Sequence, residues 1–288
     1  MAQSTPKISE DPPLAWSRQD LEQRMFFNGG KHTQVNVVLT LLLGLAATVA
    51  FYAILIPFDG TYYADMFTKR SWVQYASVLL SFWSLAILFI KSRKISFQRR
   101  ALEYSIVPAD SDFVLSAANV DEVIDQIYRI CDEPRNFVLY NRIVVALANL
   151  RNLGRVGDVG DILNTQAESD EDSSETSYAL VSGFVWAIPV LGFIGTVLGL
   201  SDAIGSFGTV LEQSDDMNQI KDSLRNVTSG LSTAFETTLV ALIAALVIQL
   251  LLTFLKKSEQ EFLDDCTEYC TYQVVNHLRI LPYERVDQ

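Results

Sequence analysis

Long apolar runs alternating with polar blocks dominate the pattern of this chain. A helix needs roughly 20 apolar residues to cross a bilayer at about 1.5 Å rise per residue. Four stretches reach that length: Val35–Pro57, Ser71–Ile90, Ser177–Leu200 and Val227–Leu255. Only the fourth contains a charged residue, Glu236. The pattern therefore predicts four membrane-spanning helices.

The polar block between the second and third spans also indicates helices. Asp121–Cys131 and Phe137–Leu150 carry apolar residues at helical spacing, and Pro108 and Pro134 mark breaks between helices. After Leu255 the chain continues without a helix breaker, which predicts that the fourth span extends as one long helix. We expect an all-α polytopic membrane protein with a helical cytoplasmic domain between its second and third transmembrane helices.

Positive charges near the ends of the spans predict the orientation, because Lys and Arg concentrate in cytoplasmic segments. The two short loops carry few of them: Lys69, Arg70, Lys221 and Arg225. More follow the second and fourth spans or precede the first: Lys91, Arg93, Lys94, Arg99, Arg100, Lys256, Lys257, Arg18, Arg24 and Lys31. Both termini are therefore expected in the cytoplasm.

The chain is therefore predicted to cross the membrane at 34–57, 71–90, 177–200 and 227–255, with outer loops at 58–70 and 201–226. The cytoplasmic parts are an N-terminal segment (1–33), a helical domain (91–176) and a helical extension of the fourth span (256–288).

Composition narrows the class of function. The chain has 288 residues, 49% of them hydrophobic, which fits a membrane protein with additional aqueous parts. Its net charge of −12 argues against nucleic acid as a partner and leaves membrane lipid as the expected surroundings. With only His32 and His277, no nucleophile motif and no phosphate loop, the sequence predicts neither an enzyme nor a cofactor. Cys266, Cys270 and His277 are interpreted as packing residues rather than a metal site.

Small residues follow one face of the third span and one face of the fourth. Gly192, Thr196, Gly199 and Ala203 recur at helical spacing, as do Ala234, Thr238, Ala241 and Ala245, with Gln249 continuing the second stripe. Such faces allow close helix contact, in which each Thr hydroxyl bonds a carbonyl of its own helix. Paired Thr residues framed by Gly or Ala on both helices favour a second interpretation, a hydrated path for ions.

Two further residues in these spans stand out. A carboxylate inside a span is costly and is by default functional, so Glu236 is a candidate for the ion path. It lies roughly 200° around an ideal helix from Thr238, so the two side chains are expected on different faces. Pro189 interrupts the backbone hydrogen bonds of the third span just before its small-residue face, which predicts either a packing kink or a point of motion.

At these residues the chain resembles the MotA/TolQ/ExbB proton-channel family. The run from Pro189 through Gly192, Gly195 and Thr196 to Gly199 is similar to that family's first signature. The run Gly230–Ala234 followed by Thr237 and Thr238 is similar to its second. The resemblance covers about residues 177–255. Four spans with a large insert between the second and third resemble the flagellar stator branch more than the three-span branch.

The resemblance implies a homopentamer in the bacterial inner membrane, with two copies of a single-span MotB/ExbD/TolR-like partner in its central pore. It implies that Thr196 and Thr238, with the neighbouring Thr237, line the path of an ion carried by an aspartate of the partner. It also implies that ion passage drives force or torque on a cytoplasmic or envelope effector. The translocated ion is then H⁺, although a hydroxyl lining is compatible with Na⁺ as well.

Two other functions fit the same sequence. A self-sufficient ion channel or transporter would use Glu236 in its own path and need no partner. A membrane scaffold would use the helical block for recruitment, and its Thr residues would only pack. Loss of flux on Glu236→Gln without any partner present would favour the channel. Unchanged function in a Thr196→Val, Thr238→Val double variant would favour the scaffold.

Overall fold

The computed structural model describes residues 12–25, 27, 29–68, 71–107, 113–116, 118–153, 157–213 and 217–278. These residues form helices and no strand, which confirms the all-α class. The ten α-helices are α1 (Trp16–Gln19), α2 (Leu21–Arg24), α3 (Val37–Leu55), α4 (Tyr62–Thr68), α5 (Trp72–Arg99), α6 (Val120–Ile130), α7 (Val138–Leu153), α8 (Gly157–Ser177), α9 (Ala179–Gln213) and α10 (Met217–Gln273). Short 3₁₀ turns occupy Ile56–Phe58, Arg100–Glu103, Pro134–Asn136 and Val275–His277.

Four helical segments are long and apolar enough to cross a membrane, as the hydrophobic pattern predicts. They are Val37–Phe58, Trp72–Glu103, Gly157–Gly205 and Val227–His277. In the third of these the apolar stretch belongs to α9, because α8 is rich in acidic and hydroxyl residues.

The chain divides into two compact units. The apolar unit comprises Val37–Phe89 and Tyr178–Phe254, and the polar unit comprises Met1–Asn36, Ile90–Ser177 and Leu255–Gln288. In the apolar unit α3 and α5 approach closely at Gly44, where an added Cβ would lie 2.7 Å from the Cα of Trp83. The indole nitrogen of Trp83 donates to the hydroxyl of Thr40 at 3.2 Å, which joins the same two helices.

Aromatic packing and amphipathic helices form the core of the polar unit. The ring of Trp16 lies 5.7 Å from that of Phe97 and 5.4 Å from that of Phe137, and all three side chains are buried. Helix α6 buries Val123 and Ile127, which are four residues apart and therefore share one face. Isolated backbone bridges pair Leu14 with Cys131 and Leu115 with Leu278.

Several helices extend further than the apolar pattern alone indicates. Helix α5 continues nine residues past Ile90, to Arg99. Helix α9 ends at Gln213 and helix α10 begins at Met217. Most of the connection between the last two spans is therefore helical. A short helix, α4, forms in the segment that follows the first span. Helix α10 continues past Leu255 without a break and ends at Gln273.

Candidate functional site

Helices α9 and α10 approach each other most closely where both carry small residues. A Cβ added at Gly192 would lie 2.7 Å from the Cβ of Ala241, and one added at Gly195 would lie 2.9 Å from the hydroxyl oxygen of Thr237. At Gly199 the nearest atoms, the Cβ of Ala234 and a carbonyl oxygen, are 3.4 Å away. A larger side chain at Gly192 would therefore require α10 to shift, and one at Gly195 would require at least the Thr237 hydroxyl to move.

Thr196 and Thr238 meet at this contact. Their hydroxyls are hydrogen-bonded to each other across the two helices. The hydroxyl of Thr238 also donates to the carbonyl of Gly192 on α9 at 2.9 Å. The hydroxyl of Thr196 lies 3.2 Å from the carbonyl of Ala234 on α10 and 3.2 Å from that of Gly192 on its own helix. Each hydroxyl therefore reaches the carbonyl that lies four residues before the other Thr.

Thr237 belongs to the helix contact rather than to this pair. Its side chain is buried and faces Gly195, and its hydroxyl donates to the carbonyl of Ala234 on its own helix at 2.9 Å. Thr237 thus makes a hydrogen bond to a carbonyl of its own helix, as the close-contact interpretation of the two stripes expects. The hydroxyl of Thr238 instead bonds to a carbonyl of the neighbouring helix.

Glu236 has other partners than the threonine pair, as its angular position predicts. Its side chain is buried, and its Oε1 accepts hydrogen bonds from the hydroxyls of Tyr62 and Ser232, both at 3.0 Å. Tyr62 is the first residue of α4 and lies 174 positions earlier in the chain. No short-range pattern relates the two residues, which explains why sequence analysis did not identify Tyr62.

The remaining residues of the two stripes differ in exposure. Ala241 and Ala245 are buried, but Gln249 is exposed and the buried position on that turn belongs to Ile248. Pro189 lies inside α9, which continues through it as a helix. The structure thus brings together the central part of both stripes and leaves Gln249 outside the contact.

The polar unit contains a buried ion pair that sequence analysis did not identify. The Nζ of Lys91 on α5 lies 3.1 Å from both carboxylate oxygens of Glu259 on α10, and each side chain is 1% exposed. The hydroxyl of Thr33 donates to Glu259 at 2.5 Å, and Lys91 donates to the hydroxyl of Ser177 at 2.7 Å. Each of the four residues in this cluster lies at or near an end of a different apolar stretch of the sequence: Thr33, Lys91, Ser177 and Glu259.

A second buried ion pair joins α7 and α8. The Nε of Arg142 donates to Asp170 at 2.6 Å, and His32 Nδ1 lies 3.8 Å from the same carboxylate. Burial lowers the pKa of His32, and the charge of Asp170 opposes this shift. Burial likewise raises the pKa of the Cys131 thiol, which keeps this cysteine protonated and unreactive.

Cys266 and Cys270 are buried free cysteines on α10. Within the part of the chain that the structure describes, no three His, Cys, Asp or Glu side chains are grouped to hold a metal ion.

Comparison with known proteins connects these helices with ion transport. A family model described as the MotA/TolQ/ExbB proton channel family matches residues 143–268, which include α8, α9 and most of α10. No curated protein and no solved structure matches the chain significantly. The matched family consists of channel and energy-transducing proteins, and with the four apolar helices the match shows a membrane protein. The resemblance to the MotA/TolQ/ExbB proton channel family is thus confirmed for residues 143–268.

Proposed function

We propose that the chain is the pore-forming, force- or torque-generating subunit of an ion-driven motor in the bacterial inner membrane, with H⁺ as the ion and Na⁺ compatible. The observation that carries the proposal is the hydroxyl pair of Thr196 and Thr238, which lies inside the segment matched to a proton-channel family.

The chemistry of the pair suits passage of an ion. A hydroxyl both donates and accepts hydrogen bonds, so it can orient water for proton transfer or coordinate a cation. The carbonyls of Gly192 and Ala234 hold the two hydroxyls in place from opposite helices. The small residues beside the pair pack against the facing helix, and Thr196 and Thr238 are themselves half-buried.

The proposed assembly is a homopentamer with two copies of a single-span MotB/ExbD/TolR-like protein in its centre. The family works with a single-span partner, whose membrane aspartate would carry the ion. Large apolar side chains on α9 and α10, among them Phe193, Val197, Phe235 and Leu239, are exposed in the single chain. Neighbouring subunits and lipid would cover them.

The proposed topology follows the distribution of Lys and Arg. Both termini, the helical domain (91–176) and the extension of the fourth span (256–288) lie in the cytoplasm, and the loops at 58–70 and 201–226 lie outside. The four-span layout supports placement near the MotA branch. The helical domain would transmit force to an effector in the cytoplasm or envelope.

The mass of the native complex tests the assembly. The full chain is tagged, expressed with its own genomic neighbourhood, extracted in detergent and weighed by native mass spectrometry. Five copies with two of a small single-span protein are expected. A homo-oligomer that contains no companion protein would contradict the proposal and direct attention to Glu236.

The second candidate, a self-sufficient channel, has one specific observation in its favour. Glu236 is a carboxylate within the fourth span that accepts two hydroxyl hydrogen bonds at one oxygen. If the protein alone in liposomes conducts protons and Glu236→Gln abolishes that conduction, this candidate replaces the motor. Tyr62→Phe is the matched variant, because it removes one donor but keeps the carboxylate.

A further inference from the structure

A strongly basic cavity lies in the polar unit, between the short helices α1 and α2 on one side and helix α5 on the other. Its volume is about 270 Å³. Four arginines line it, two from the N-terminal segment (Arg18 and Arg24) and two from the end of α5 and the turn after it (Arg93 and Arg100). The whole chain carries 22 Lys and Arg against 34 Asp and Glu, so this cavity has the opposite charge balance to the protein. Such a site attracts anions.

Cationic side chains outnumber carboxylates among the described residues that line the cavity. Five of these residues are cationic, because Lys94 joins the arginines, and one, Asp20, is a carboxylate. Lys94 is paired within the wall, with its Nζ 2.6 Å from Glu22 and 3.9 Å from Asp20. Burial raises the pKa of Asp20, and the charge of Lys94 opposes this shift.

The position of the arginines along α5 indicates where the anion comes from. Arg93 lies three residues after Ile90, the last residue of the apolar run, and thus about 5 Å further along the helix axis. The headgroup layer of a bilayer begins at the edge of the hydrocarbon and is roughly 5–7 Å thick. With the edge of the hydrocarbon placed at Ile90, Arg93 falls at the depth of the lipid phosphates. Arg100, seven residues later, falls about 10 Å further out on the aqueous side.

We propose that this cavity binds the phosphate group of a membrane phospholipid with an anionic headgroup. Guanidinium groups pair with phosphate oxygens through two parallel hydrogen bonds, which explains arginine rather than lysine at four positions. A juxtamembrane cluster of this charge is attracted to anionic lipids. The proposal goes beyond the motor function and does not depend on it. A soluble phosphate compound shares the same chemistry, so the experiment must separate the two sources.

Lipid-dependent thermal stability tests the site. The full chain in uncharged detergent is titrated with short-chain phosphatidylglycerol, with phosphatidylcholine and with glycerol phosphate, and the unfolding temperature is followed. Phosphatidylglycerol is expected to raise that temperature at far lower concentration than the other two compounds. Tighter binding of glycerol phosphate would assign the cavity to a soluble ligand and overturn the proposal.

Charge-matched variants locate the effect. Arg93→Gln with Arg100→Gln removes two exposed cations from the cavity and is expected to weaken the response to phosphatidylglycerol about 30-fold. Arg24→Gln, on the opposite wall of the cavity, is also expected to weaken the response to phosphatidylglycerol. Lys256→Gln with Lys257→Gln removes two exposed cations after the fourth span and should leave the response unchanged. Equal weakening in both double variants would indicate non-specific attraction and overturn the site.

Discussion

Lys91 and Glu259 form an ion pair that is almost completely buried, although 168 positions separate them in the chain. Lys91 directly follows the second apolar run, and Glu259 is on the part of α10 that follows the fourth. The pair therefore fixes the register of α5 against α10 within the polar unit.

Removal of one member of this pair is expected to destabilise the protein strongly. Lys91→Met leaves the buried carboxylate of Glu259 without its counter-ion and should lower the free energy of unfolding by about 3–5 kcal/mol. Lys91→Met combined with Glu259→Leu should lower it less, because no lone charge remains buried. Chemical denaturation in detergent measures both.

The control for that comparison is an exposed pair on the same helix. Lys257 and Glu261 lie 3.8 Å apart with both side chains mostly exposed, so Lys257→Met should change stability by less than about 1 kcal/mol. Equal losses of stability for Lys91→Met and Lys257→Met would show that the buried pair stabilises the protein no more than the exposed pair does.

The close contact of α9 and α10 predicts that replacing either of two glycines of α9 by alanine changes the stability differently. Gly192→Ala places a Cβ 2.7 Å from that of Ala241 and is expected to cost about 1–3 kcal/mol of stability. At Gly183 nothing lies within 4 Å of the added Cβ, so Gly183→Ala should be neutral or slightly stabilising. Thermal unfolding of both variants checks the difference, and a stable Gly192→Ala protein would argue against this helix contact.

The threonine pair predicts which changes reduce ion flux in the proposed motor. Thr238→Val removes the donor to Gly192 and the partner of Thr196, and flux through the reconstituted complex is expected to fall about tenfold. Thr238→Ser keeps the hydroxyl and should conduct within about twofold of the parent protein. Proton uptake into liposomes provides the measurement.

Thr253→Val is the matched control for flux. Its hydroxyl bonds the carbonyl of Gln249 on its own helix and is exposed, so flux should be unchanged. Unaltered flux in the protein with both Thr196→Val and Thr238→Val would leave the scaffold hypothesis as the better account.

His32 predicts a loss of stability on mild acidification. Burial lowers its pKa below the usual 6.5, so between the lowered pKa and 6.5 the unfolded chain holds more protons than the folded protein. The stability associated with neutral His32 is thus complete above pH 6.5 and declines as the pH falls below it. His32→Asn tolerates the left-handed backbone at this position, where φ is 56°.

Unfolding curves at pH 7.5, 6.5 and 5.5 are expected to show a smaller decline for His32→Asn than for the parent protein. Identical declines would assign the pH dependence to other groups.

The four spans and the helices of the polar unit could be predicted from the sequence, because both depend on local patterns. A run of twenty apolar residues specifies a span whatever surrounds it, and α6 lies within one residue of its expected bounds because its apolar residues recur at helical spacing. The Gly, Ala and Thr stripes likewise identified the contact faces of α9 and α10, since every fourth or third residue shares a face.

Only the tertiary structure decided which groups meet across those faces. Helical spacing places Thr238 on a small-residue face, but only the crossing of two helices brings its hydroxyl to the carbonyl of Gly192. Tyr62 lies 174 positions from Glu236 and Glu259 lies 168 positions from Lys91, and the arginines of the basic cavity come from two distant segments. Local periodicity contains no information about such pairings, because they depend on how far each helix extends and at which angle it meets its neighbour.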